Sequence, residues 1–139
     1  MALWNVYSHS LTSLMLWRTT PHTFRVLDYG EPADLLTNYD YILFDCKYEE
    51  ALRTCGVELE LTPVTVTDEV RKTVWHHYLE ATIKHWASDD DINHATPPNA
   101  AIYRYGEEYV FVSDTLKAAL QHVQGQALVF SLGSSNFAA

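Results

Sequence analysis

The chain has 139 residues, 47% of them hydrophobic and 13% aromatic, which suits one folded domain over residues 1–139 and excludes an intrinsically disordered chain. Nine basic residues stand against 18 acidic ones, a formal net charge of −9, so the surface is expected to repel nucleic acid and anionic lipid and to suit a basic partner. No run reaches the ~18 apolar residues of a membrane span, and Met1–Trp17 lacks the basic segment and cleavage site of a secretory signal; a cytoplasmic protein is expected.

The first forty residues read weakly: strands at Leu3–Tyr7 and Thr23–Leu27, and a short helix near Leu11–Trp17. An internal repeat follows. Tyr41–Leu61 and Tyr109–Leu132 both open on a short apolar run and then offer a helix N-cap, Asp45 in the first and Ser113 in the second. Tyr48, Ala51, Leu52 and Cys55 match Leu116, Ala119, Leu120 and Val123, each set at i, i+3, i+4, i+7 on one helical face. Gly56 and Gly125 then stop the helices, and a second strand closes each unit. Two β-α-β units are predicted, with Leu52 and Leu120 buried and Cys55 a structural thiol on the same face.

Between the units, Asp68–Ala87 reads as the best helix of the chain. Thr67 is a plausible N-cap, and Val74, Trp75, Tyr78, Leu79, Ile83 and Trp86 fall on one broad face at ~100° per residue. Trp75 and Trp86 are expected in the core, with His76, His77, Glu80 and Lys84 on a solvated face. A polar loop, Ser88–Asn99, leads to a hairpin, Ala101–Tyr105 and Glu108–Val112. The predicted fold class is therefore α+β: a single domain with two β-α-β units and a central amphipathic helix packed on a sheet.

No chemistry-bearing constellation stands out. His76, His77, Glu80 and His85 lack the i, i+4 histidine pair of a zinc helix. Asp89-Asp90-Asp91-Ile92-Asn93 starts like a calcium loop but lacks the glycine and glutamate that such a loop requires. There is no G-x-S-x-G, P-loop or G-x-G-x-x-G, and His9, His22, His94 and His122 are scattered. Neither Cys46 nor Cys55 belongs to a C-x-x-C pair. No catalytic residue, metal or cofactor is expected. Four Trp and nine Tyr leave aromatic side chains that can anchor an interface. The candidate partner-binding residues are Asp89, Asp90 and Asp91 in the polar loop, Glu107 and Glu108 at the hairpin turn, and Tyr103 and Tyr105 on its first strand.

The stretch Ile102-Tyr103-Arg104, Tyr109-Val110-Phe111-Val112-Ser113-Asp114, Leu116-Lys117, Ala119-Leu120, Gly125 and Ala127-Leu128-Val129-Phe130 resembles the closing segment of an immunity-protein family paired with bacterial polymorphic toxins, the family often numbered eleven. Glu60-Leu61-Thr62-Pro63-Val64 is similar to a stretch in the middle of that family, whereas Asp45-Cys46 stands where the family has serine. The resemblance spans Tyr41–Leu132 and implies an antitoxin: a toxin inhibitor that acts by protein-protein interaction on a cognate toxin, a nuclease effector being the favoured kind. Two other readings stand beside it. Glu49-Glu50-Ala51-Leu52 and Glu107-Glu108-Tyr109-Val110 are superficially similar to elements of small ADP-ribosyltransferases, with His9 or Arg25 as the early catalytic residue. A phage-encoded inhibitor of a host defence complex is the third. Oligomeric state is left open.

Overall fold

In a computed structural model, residues 3–9, 12–93 and 100–133 are described. Strand makes up 50% of the structure and helix 20%, so the fold is mainly β and the expected α+β fold does not hold.

Among the described residues, ten strands form two sheets. The strands are β1 (Leu3–Ser8), β2 (Met15–Thr20), β3 (Thr23–Asp28), β4 (Leu35–Thr37), β5 (Ile42–Asp45), β6 (Leu59–Asp68), β7 (Thr73–Ile83), β8 (Ile102–Tyr105), β9 (Tyr109–Ser113) and β10 (Leu128–Leu132). The helices are short: α1 (Glu49–Arg53), α2 (Asp89–Asn93) and α3 (Asp114–Gln121). The four-stranded sheet runs β10-β1-β9-β8, with antiparallel neighbours throughout. The six-stranded sheet runs β2-β3-β6-β7-β5-β4 and has one parallel pair, β3 with β6. One of the two sheets curls into a half-barrel.

The segments 41–61 and 109–132 each run strand, helix, strand, but neither is a β-α-β unit with adjacent strands. In the first, β5 and β6 are both antiparallel to β7, which lies between them. In the second, β9 and β10 are both antiparallel to β1, which lies between them. Each unit is therefore split by a strand from elsewhere in the chain. Asp45 accepts from Lys47 N–H and caps the 3-10 turn Cys46–Tyr48, and Ser113 accepts from Leu116 N–H and caps α3. Gly56 and Gly125 take φ of +62° and +76°, conformations that cost glycine nothing and a branched residue a clash. Leu52 and Leu120 are both fully buried. They belong to the main core with Tyr48, Phe44, Ile102 and Val112, so both helices and the inner faces of both sheets share it. Burial pushes the Cys55 thiol up to about 11, with Glu58 adding to the rise, so Cys55 is a neutral packing group at physiological pH.

The predicted central helix is absent. Its sequence forms the β6–β7 turn, β7 and the segment that follows, and Thr67 lies within β6 rather than at a helix cap. The cause is a bulge combined with burial on both faces. Val64 faces Tyr78 and Val66 faces Trp75, so His76 and His77 together oppose Thr65. Before and at the bulge Trp75 and Tyr78 face a second core with Phe24, Leu43 and Val66, and beyond it Ala81 and Ile83 face the main core. Apolar residues thus recur at irregular intervals that imitate a helical face. Thr73, Val74, Trp75, Tyr78, Thr82 and Ile83 are all strand-favouring types. Trp75 is half-buried against the second core, but Trp86 is 62% exposed, contrary to its expected core position. His76 is exposed, as expected of its face, while Glu80 pairs with Arg18 rather than Lys84.

Near the start, the helix expected at Leu11–Trp17 is also wrong: Met15–Trp17 opens β2, and Leu11 lies outside the described residues. Leu14, Leu16 and Phe24 turn inward to the second core while Met15 and Trp17 stay exposed, the alternation of a strand. Of the polar stretch Ser88–Asn99, Asp89–Asn93 is helical, and residues 94–99, including His94, lie outside the described residues.

Candidate partner-binding surface

The end of β8 brings one candidate residue, Glu107, to Arg104 through its backbone carbonyl and joins two others, Tyr105 and Asp89, by a hydrogen bond. Arg104 lies in β8 beside the main core, and its outer edge is closed by the segment that follows β7. Arg104 N–H donates to His85 O at 2.9 Å and Ala87 N–H donates to Arg104 O at 2.8 Å, around a parallel bridge between Trp86 and Arg104. The Arg104 guanidinium donates to the carbonyls of Asn38 and Tyr39, each at 3.1 Å, and of Glu107 at 2.6 Å. It also lies over the Trp86 ring, 5.2 Å from the centroid. One side chain thereby ties the β4–β5 turn, the β8–β9 turn and the segment after β7 together.

Two large aromatic rings stand in solvent beside it. Trp86 is 62% exposed and Tyr39 is 72% exposed. Glu107 and Glu108 are exposed in the β8–β9 turn. Asp89 is exposed at the start of α2 and accepts from the Tyr105 hydroxyl, and that hydrogen bond raises the phenol's pKa. Asp90 is exposed as well.

Two of the seven predicted residues have structural duties. Tyr103 is only 7% exposed: it packs with Leu3, Ile92 and Phe111, and its hydroxyl accepts from Ala100 N–H at 2.8 Å. Its ring faces the opposite side of the strand from Arg104, as alternation requires, and it is not a surface anchor. Asp91 accepts from Ser88 N–H at 2.8 Å while Ser88 Oγ accepts from Asp91 N–H at 3.2 Å, the reciprocal capping pair of α2. Tyr105 is half-buried and packs edge-on against Phe111. Asp89, Asp90, Glu107 and Glu108 remain as surface carboxylates, with Tyr105 connecting the two groups.

Sequence reasoning missed Trp86 as a surface residue and did not single out Tyr39 or Arg104 as a binding residue. Once β7 is read as a strand ending at Ile83, Trp86 falls in a connection, where exposure is the default. Tyr39 sits in Asn38-Tyr39-Asp40, between two turn-forming residues.

A groove of about 570 Å³ separates the two units, where Ala51 and Thr54 of the first face Ala119, His122 and Val123 of the second. Next to it lies a polar clamp. Asp34, from the β3–β4 connection, accepts from Lys47 Nζ at 3.1 Å, Ala127 N–H at 2.8 Å and the Tyr48 hydroxyl. Lys47 also donates to Gly125 O at 2.8 Å. Burial pushes the Asp34 carboxyl up, but these hydrogen bonds outweigh it and hold the group below its ordinary range. Among the described residues, no three His, Cys, Asp or Glu side chains converge as a metal site would require. No described helix is long and apolar enough to cross a membrane. No protein-family model, curated protein or solved structure matches the chain.

Proposed function

We propose that this protein is a binding module that engages a basic protein through the end of β8, and that its role is that of an immunity protein neutralising a bacterial toxin, with a nuclease effector as the favoured kind. The observation that carries the binding reading is the exposure of Trp86 and Tyr39 beside Arg104. Trp, Tyr and Arg are the residue types that dominate interface hot spots, and a large exposed ring on a fixed backbone loses little entropy when covered. Asp89 and Asp90 follow Trp86 by three and four residues, Glu107 and Glu108 share the turn whose backbone Arg104 holds, and all four are exposed carboxylates that supply the charge a basic partner would meet. The toxin-directed part rests on the resemblance of Tyr41–Leu132 alone.

The transferase reading draws no comparable support. Arg25 lies on the outer face of the six-stranded sheet near Glu69, at 4.0 Å, while Glu107 and Glu108 lie in a turn of the other sheet. No hydrogen bond or ion pair among the described residues joins them.

The test is binding and neutralisation of the product of the adjacent gene, by surface plasmon resonance and by growth rescue on co-expression. Trp86→Ala is expected to speed dissociation by at least about thirtyfold, the factor that a ~2 kcal/mol hot spot implies. Glu107→Gln with Glu108→Gln is expected to slow association and flatten its salt dependence while changing dissociation little. A neighbouring product that is neither bound nor neutralised overturns the toxin reading, and binding indifferent to both variants removes the β8 surface from it.

A further inference from the structure

Among the described residues the two sheets have four edges, and three are covered or blunted, by a neighbouring segment at β8, by charge and register shifts at β2, and by brevity at β4. At β8, residues 85–87 take the outward backbone groups of Arg104. At β2, the Tyr41 hydroxyl accepts from Leu16 N–H at 3.3 Å, and Arg18 reaches across to Asp40 and Glu80. At β4, which is only three residues long, Ser8 Oγ accepts from Leu35 N–H at 3.1 Å. The fourth edge is β10. His9 N–H donates to Ala127 O at 2.7 Å, so by alternation Ala127, Val129 and Ser131 face β1, and Leu128, Phe130 and Leu132 turn their backbone groups outward. Leu128 N–H is taken by Gln126 Oε1 at 2.9 Å. The Leu128 carbonyl, both backbone groups of Phe130 and the Leu132 N–H have no hydrogen-bond partner among the described residues.

Open edges are ordinarily blunted by charge, proline, a bulge or brevity. β10 shows none of these devices: its five residues, Leu-Val-Phe-Ser-Leu, pair with β1 in unbroken register. Its surroundings are as unusual. The chain carries 27 Lys, Arg, Asp and Glu residues (9 and 18), yet none from Ala118 to Ala139. The charged groups that reach the strand's surroundings come in pairs of opposite sign: Asp34 and Lys47 pair with each other and bond Ala127 N–H and Gly125 O at its head, while Asp114 accepts from the Trp4 indole N–H at 2.7 Å and the Lys117 ammonium lies 4.2 Å from the Trp4 ring centre and 5.9 Å from that of Phe130.

We infer that β10 is a homodimerisation edge that pairs antiparallel with β10 of a second copy. Two chains of charge −9 repel, and a charge-free edge lets them meet without apposing carboxylates. The strand is also self-complementary. A two-fold axis at Phe130 sets Phe130 against its own copy and Leu128 against Leu132 of the second copy, so an isologous contact closes with matching apolar residues. Leu132, now 50% exposed, is covered, and two four-stranded sheets become one continuous sheet. Because β8 is the opposite edge of the same sheet, the dimer leaves the Trp86 surface uncovered. This inference does not depend on the proposed function.

Sedimentation equilibrium of the full chain over rising concentration tests it, paired with amide hydrogen exchange. The mass should climb from 15.9 kDa toward twice that value, and the Phe130 and Leu132 amides should become protected as the dimer forms. Leu132→Lys sets an ammonium opposite Leu128 of the second copy, and should move the transition to concentrations at least about tenfold higher, with an unchanged circular dichroism spectrum. A wild-type chain that stays at 15.9 kDa up to its solubility limit overturns the inference. So does a dimer in which the Phe130 and Leu132 amides exchange as fast as in the monomer, a result that stands even if the substituted chain does not fold.

Discussion

The two strand-helix-strand units solve one packing problem with unequal means. Both lay a short helix over a sheet, and both leave a gap between their parallel strands. The first fills its gap with β7, the next strand along the chain, whereas the second fills its gap with β1, more than a hundred residues earlier by number (Asn5 faces Phe111). The first helical stretch is broken into a 3-10 turn, the five-residue α1 and a second 3-10 turn, whereas α3 is one eight-residue helix. The difference shows what the shared pattern specifies. Apolar positions at i, i+3, i+4, i+7 set which face of each helix is buried. They set neither helix length nor the strand that completes the sheet.

The strongest way to break this comparison is to empty the matched core positions. Leu52 and Leu120 are both fully buried in the same core. Leu52→Ala and Leu120→Ala should each cost about 3 kcal/mol in urea unfolding, the usual range for a buried leucine being about 2–5. Because α1 and α3 pack against each other, the double variant should depart from additivity by more than about 0.5 kcal/mol. A strictly additive pair would mean that the units are stabilised independently.

The Asp34 clamp holds the units together rather than either one alone, since its partners Tyr48 and Lys47 belong to the first and Ala127 to the second. Asp34→Ala strands three donors and should cost about 2 kcal/mol near neutral pH. The pH dependence has a definite sign. A carboxyl held below its ordinary value when folded contributes stability above the unfolded pKa of about 3.9, and that contribution disappears as pH falls through the depressed folded value. Unfolding measured from about pH 6 down to about pH 2 should therefore show a stability loss in the wild type that is smaller in the Asp34→Ala variant. Parallel curves would assign the acid sensitivity to other carboxylates.

Local signals in the sequence were legible where the physics is local. Both caps, both glycine exits and the buried leucines follow from contacts a few residues apart. The β8–β9 hairpin was legible for the same reason: Gly106 supplies the positive φ of its turn. The inserted strands were not legible, because β7 and β1 are placed by long-range pairing. The bulge at His76 and His77, together with burial on both faces, also hid the two-residue alternation of β7. The candidate surface was half legible. Glu107 and Glu108 sit in a recognisable turn, but Trp86 was assigned to a helix face that does not exist. Tyr103 and Tyr105 point to the same side of β8, away from Arg104, and only the depth of the cover over them separates the buried ring from the half-buried one.

The smallest expected effect concerns the caps, and it sharpens the comparison most finely. Ser113 Oγ accepts from Leu116 N–H at 3.2 Å at the head of a regular helix, the geometry in which loss of a cap costs about 1 kcal/mol. Asp45 accepts from Lys47 N–H at 2.9 Å at the head of a three-residue 3-10 turn, and the α1 that follows has no side-chain cap of its own. Fewer aligned peptide units stand behind Asp45, so its carboxylate gains less from the helix dipole. Asp45→Ala should therefore cost about half as much as Ser113→Ala in the same urea experiment. A larger loss at Asp45 would mean that the first unit depends on its 3-10 turn as much as the second depends on α3, and the difference in helix length between them would carry no energetic weight.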